Sequence, residues 1–112
     1  MVQQQTDNYI KLCMKSWLLC ESCIHAEVNS PSPRYALINQ WTACAKSCFA
    51  VVSRLVSDPD NLEDLPFKCM LHCRLCVDES DKYPEEEDIQ MCSEICAICA
   101  DTVKDLVVFV AN

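Results

Sequence analysis

Glycine is absent from the 112-residue chain. Tight β-hairpins lean on residues with positive φ, so a fold of short antiparallel strands is disfavoured from the start. Long apolar runs are missing as well. The longest uncharged ones, such as Leu106 to Ala111, fall far short of the roughly 20 residues that a bilayer crossing takes. Basic clusters are the third absence. Nine Lys and Arg are scattered among seventeen Asp and Glu, for a net charge of −8, and a phosphate-binding surface needs its cations gathered. Nucleic acid and membrane are therefore not expected as partners. The polar stretch Met1 to Ile10 has neither the basic start nor the apolar centre of a secretory signal, which points to a cytoplasmic protein.

The chain does contain long runs of 3.6-residue periodicity, separated by prolines at 31, 33, 59, 66 and 84. The runs predict four helices over about 6–28, 33–57, 64–81 and 84–110. Ser32 is expected to cap the second helix, with Pro33 in its first position, where the missing N–H is harmless. Pro66 is tolerable only in a first turn, and Pro84 followed by Glu85, Glu86, Glu87 and Asp88 reads as a helix start whose acids complement the macrodipole. Short connections between four long helices favour an all-α, antiparallel up-down-up-down bundle, and the length suits a single domain.

Eleven cysteines fall on these runs. Cys69, Cys73 and Cys76 repeat the spacing of Cys92, Cys96 and Cys99, and Cys13, Cys20, Cys23, Cys44 and Cys48 also sit at helical offsets. Offsets of three and four share one helix face, so each group is a stripe of sulfur. A heptad reading of the first helix gives a seam of Thr6, Ile10, Cys13, Trp17, Cys20 and Ile24, with Cys23 flanking it. The second seam reads Leu37, Trp41, Cys44, Cys48, Val51 and Leu55, and the fourth Ile89, Cys92, Cys96, Cys99, Val103, Leu106 and Val110. Counting residues away from each turn places Cys20 by Cys44, Cys13 by Cys48, Cys48 by Cys73, Cys44 by Cys76, and Cys69 and Cys73 by Cys96 and Cys92. All four stripes then meet in one band. Ile10, Val51, Leu55, Val103, Leu106 and Val110 are expected to close one end, and Ile24, Leu37, Trp41, Tyr83 and Ile89 the other.

Cysteine often serves as a small buried hydrophobe, but a band of small side chains gives up surface that leucine would bury. Disulfides within a helix fail on geometry. Cβ atoms at i and i+4 lie about 5 to 6 Å apart, beyond the roughly 3.5 to 4.5 Å of a disulfide. Dense cysteine in a reducing compartment reads first as metal or redox chemistry. The pairs Cys44/Cys48, Cys69/Cys73 and Cys92/Cys96 are possible two-coordinate clips, and a tube of thiols suits soft Cu(I) better than zinc or an iron–sulfur cluster, which takes one defined set of four. A thiol redox protein or sensor is the competing class, through Cys20/Cys23, Cys73/Cys76 or Cys96/Cys99, although such dithiols work best exposed at a helix start. No acid, base and nucleophile constellation points to an enzyme.

The inward Cys-x-x-x-Cys pairs, together with Cys69-Met70-Leu71-His72-Cys73-Arg74-Leu75-Cys76 and Cys92-Ser93-Glu94-Ile95-Cys96-Ala97-Ile98-Cys99-Ala100, resemble the four-helix-bundle copper storage proteins. The resemblance covers nearly the whole chain. It implies several Cu(I) ions held by Cys13, Cys20, Cys44, Cys48, Cys69, Cys73, Cys76, Cys92, Cys96 and Cys99, with Cys23 at the entrance, and it implies a homo-oligomer. Relatives carry further cysteines where this chain has Val103, Leu106 and Val110, and Trp17 and Trp41 stand in the seam, so a reduced load is expected. His72 is a candidate auxiliary ligand beside Cys73, ahead of His25, which lies off the seam. Met14, Met70 and Met91 adjoin seam cysteines but are expected to point away from the axis.

Overall fold

The prolines and the Asp, Asn and Ser residues around them set the breaks between four helices. In the computed structural model, which describes residues 2–111, these are α1 (Gln3–Val28), α2 (Tyr35–Ser57), α3 (Leu65–Ser80) and α4 (Glu87–Ala111). Each helix packs on its neighbours in the chain and α4 closes back onto α1, while the diagonal pairs α1/α3 and α2/α4 keep their backbones apart. The result is an up-down-up-down bundle measuring 45 × 21 × 21 Å, with an axial space bordered by all four helices.

Two helix starts differ from expectation. Ser32 and Pro33 lie before α2, whose N-cap is Arg34, with no side-chain cap. The Glu27 carboxylate does related work from outside the helix. It accepts the Arg34 backbone N–H at 2.8 Å and two guanidinium N–H bonds at 3.0 and 2.9 Å, and Arg34 also pairs with Glu86 and stacks over Tyr83 at 4.6 Å. One arginine thereby joins the α1–α2 turn to the α3–α4 turn. Pro84 likewise lies in a turn, so only Glu87 and Asp88 stand in the first turn of α4. Pro66 does sit in the first turn of α3. In the α2–α3 connection, Glu63 takes φ 54, a left-handed backbone that glycine usually supplies and this chain lacks.

The ends of the tube are hydrocarbon. Val51, Leu55, Leu62, Val103 and Leu106 are buried at one, and Leu37, Trp41 and Ile89 at the other. Each fully buried large side chain of this kind stabilises by about 1.5–3 kcal/mol. Val110, expected among the first group, is 41% exposed, and Leu62 from the α2–α3 connection is buried in that layer. A loop residue outside any periodic run gives a heptad reading no reason to select it.

Candidate metal centre

Between those ends the core is sulfur. Ten of the eleven cysteines are buried at 1% exposure or less, Cys23 is half-buried, and all eleven are free thiols. The close sulfur contacts run between helices. Cys13 meets Cys99 at 3.8 Å, Cys20 meets Cys92 at 3.8 Å and Cys96 at 3.9 Å, and Cys48 meets Cys69 at 3.7 Å and Cys73 at 3.9 Å. Cys44 reaches Cys73 at 3.5 Å and, across the bundle axis, Cys96 at 3.8 Å. None approaches the bonded distance of about 2.05 Å.

Two groups of four stand out. Cys20, Cys44, Cys76 and Cys96 contribute one thiol from each helix, and Cys48, Cys69, Cys73 and Cys99 come from α2, α3 and α4; within each group every sulfur lies within 4.8 Å of the others. Two thiolates sharing an ion at about 2.3 Å each stand up to about 4.6 Å apart. Both groups are therefore capable of holding metal with little rearrangement.

Crowding divides the thiols by charge. Cys13 is held down to about 5 by hydrogen bonds from Cys69 and Cys99, and Cys76 to about 5 by those from Cys20 and Cys44. Their donors move the other way. Cys20 is pushed up by bonds to Cys44 and Cys76, and Cys69 by bonds to Cys13 and Cys48, with burial adding to both. Without a cation, the array keeps part of its protons to screen the rest.

The model of the copper storage protein family (Csp) matches residues 2–107. The chain belongs to the copper storage protein family. No curated protein and no solved structure gives a significant match. The buried cysteine groups on this bundle could hold metal ions, in keeping with a family that stores copper.

Within this copper storage bundle, most of the turn-counting holds. Cys44 and Cys76 share one group with Cys20, and Cys48 lies by Cys73. The α3–α4 register is one helical turn away from expectation: Cys69 groups with Cys99, Cys73 borders Cys96, and Cys76 borders Cys92. The reason is the later start of α4 at Glu87, which lengthens the turn. The thiols of each possible clip stay neighbours, although the two groups of four divide them. Cys44 and Cys48 fall in different groups, Cys92 lies outside both, and only Cys69 and Cys73 share one.

Trp17 does not block the tube. It is half-buried and packs edge-on against Phe49 with ring centroids 5.1 Å apart, while Ser16 takes the inward position at 0% exposure. The heptad reading chose the larger apolar neighbour. The spacing of three, four and three along Cys13, Ser16, Cys20 and Cys23 carried the signal. Trp41 does lie at one end of the tube, fully buried, and its indole Nε1 is the single buried side-chain N or O without a hydrogen-bond partner among the described residues.

Cys23 borders a recess of about 130 Å³ together with Glu27, Arg34, Trp41, Glu86 and Asp88. Its thiol is held below the usual range by a hydrogen bond from Cys92 and lies 3.9 Å from the Asp88 carbonyl oxygen. His72 stands half-buried at the α2–α3 interface, with Nδ1 against the Ser47 hydroxyl, outside both sulfur groups. His25 is exposed. Met14 and Met91 are 38% and 56% exposed, and Met70 packs against the outside of the core.

Proposed function

We propose that the chain stores several Cu(I) ions as bridged thiolates on Cys13, Cys20, Cys44, Cys48, Cys69, Cys73, Cys76, Cys92, Cys96 and Cys99, with Cys23 receiving them at the entrance. The observation that carries this reading is a contiguous array of buried sulfur with no buried Lys or Arg beside it among the described residues. Charge decides between metals. A divalent ion held by four thiolates leaves a net charge of −2 in a dry core, and a buried charge without a partner is strongly disfavoured. Monovalent copper bridged by thiolates approaches neutrality at one ion per sulfur, and soft sulfur prefers it. The half-buried Cys23, whose pKa is lowered, is suited to capture, because the deprotonated sulfur is the ligand.

The redox reading is disfavoured by the same geometry. Cys73 and Cys76 fall in different groups, as do Cys96 and Cys99, and these four sulfurs are buried. Free thiols throughout suit a reducing compartment such as the cytoplasm. Among the described residues no helix is long and apolar enough to cross a membrane. Metal ions are the partners this reading requires; nucleic acid is disfavoured by the net charge of −8. Self-association would cover outward apolar residues such as Leu18 and Phe49, which are 55% and 49% exposed. His72 is kept as an auxiliary ligand only for a rotated side chain released from Ser47.

An anaerobic Cu(I) titration against a competing chelator tests the proposal. Several tightly held, colourless equivalents per chain are expected. Saturation at one or none contradicts it, and tight zinc uptake stopping at two, one for each four-sulfur group, would move the assignment to zinc.

A further inference from the structure

A buried serine inside a helix ordinarily turns its hydroxyl back to the carbonyl one turn earlier. Ser80 does so, donating to Cys76 O at 2.7 Å, and Thr42 does the same to Ile38 O at 2.7 Å. Ser16 does not. Its hydroxyl lies 3.3 Å from Cys96 Sγ and 3.9 Å from Cys44 Sγ, with no other hydrogen-bond partner among the described residues. At 0% exposure it is an oxygen set among sulfurs, at the inward position of α1 between Cys13 and Cys20.

Its position interrupts one side of the array. On the α1–α4 side, Cys20 contacts Cys92 and Cys96 toward one end and Cys13 contacts Cys99 toward the other. Ser16 lies between these contacts. On the α2–α3 side the sulfur runs on without a break, through Cys44 to Cys73 at 3.5 Å and Cys73 to Cys48 at 3.9 Å. A neutral hydroxyl is a hard donor with little affinity for Cu(I), but its proton is a good hydrogen-bond donor to thiolate.

We infer that Ser16 limits and partitions the copper load: its hydroxyl hydrogen-bonds Cys96 where a twelfth sulfur would bind, so that the ions gather as two groups joined through Cys44 and Cys73 and not along α1. This rests on the Cu(I)-storage reading. Ser16 acts through Cys96 and is not itself a ligand.

The test compares the unaltered chain with Ser16→Cys and Ser16→Ala in the same chelator competition, following Cu(I)–thiolate luminescence at each addition. The unaltered chain should fill in two luminescence phases. S16C should bind roughly one further ion and merge the phases, since the new thiolate bridges what the hydroxyl separates. S16A should keep the unaltered stoichiometry. An S16C chain that saturates at the unaltered number overturns the inference, as does a loss of capacity in S16A, which would make the oxygen a ligand. Should S16C fail to fold by circular dichroism, the unaltered chain still decides, because a single smooth phase contradicts the partition. Uptake of one ion or none by the unaltered chain is a different failure, that of the storage reading itself.

Discussion

The hydrocarbon layer at the α2–α3 end and the sulfur band beside it share the same four helices and the same seam, yet they serve opposite needs. Val51, Leu55, Leu62, Val103 and Leu106 bury large side chains that need no partner beyond one another. The sulfur band buries ten small side chains, nine of whose thiols contact one another at 3.5 to 3.9 Å, and it retains protons until a cation arrives. The contrast teaches that the apo fold is held chiefly by its ends, leaving the middle free to be tuned for cargo.

The largest effect should follow from breaking the hydrocarbon layer. Leu106→Ala leaves a cavity at a site 1% exposed and should lower apo stability by about 2–5 kcal/mol in urea denaturation. The copper stoichiometry of the folded protein should not change. Arg34→Ala comes next, at about 1–3 kcal/mol, because it strands the buried Glu27 carboxylate. Glu86→Gln, at the exposed arm of the same clamp, should cost at most about 1 kcal/mol. Measuring the pair apportions the clamp between its two arms.

A pH series probes the band itself. Cys20, Cys69 and Cys73 have folded pKa values raised above 9.0, so above that pH the unfolded chain has lost protons that the fold retains. The unfolded state then binds fewer protons, and apo stability should fall as pH climbs past about 9. Copper loading replaces those protons, so it should release acid into a weakly buffered solution, and loading should weaken as pH falls. A loaded protein should lose the alkaline decline.

A small effect on the apo fold should come from Cys44→Ala, at about 1 kcal/mol, although this thiol touches both sulfur groups. Its effect on copper should be the reverse of that of Leu106→Ala, with fewer equivalents bound and nearly unchanged folding. If both variants lose stability and copper in proportion, the division between ends and middle does not hold.

The bundle was legible because nothing in the sequence competes with it: long periodic runs, prolines between them and no glycine. The inward direction of the cysteine stripes was legible for the same reason, since offsets of three and four share a face whatever the exact helix ends. What sequence could not place was register and side-chain choice. Starting α4 at Pro84 rather than Glu87 moves the α3–α4 pairing by one turn. Choosing Trp17 over Ser16 followed hydrophobicity, although an edge-on contact with Phe49 gives the indole a place outside. Leu62 in the core and Arg34 across two turns depend on loops whose course no periodicity encodes.

The most direct test of the account is X-ray absorption at the copper edge on the anaerobically loaded chain. The account predicts Cu(I) with sulfur as its only nearest neighbour and a copper–copper scattering feature from shared thiolates. Nitrogen or oxygen dominating the first shell, or isolated ions with no copper neighbour, would contradict it.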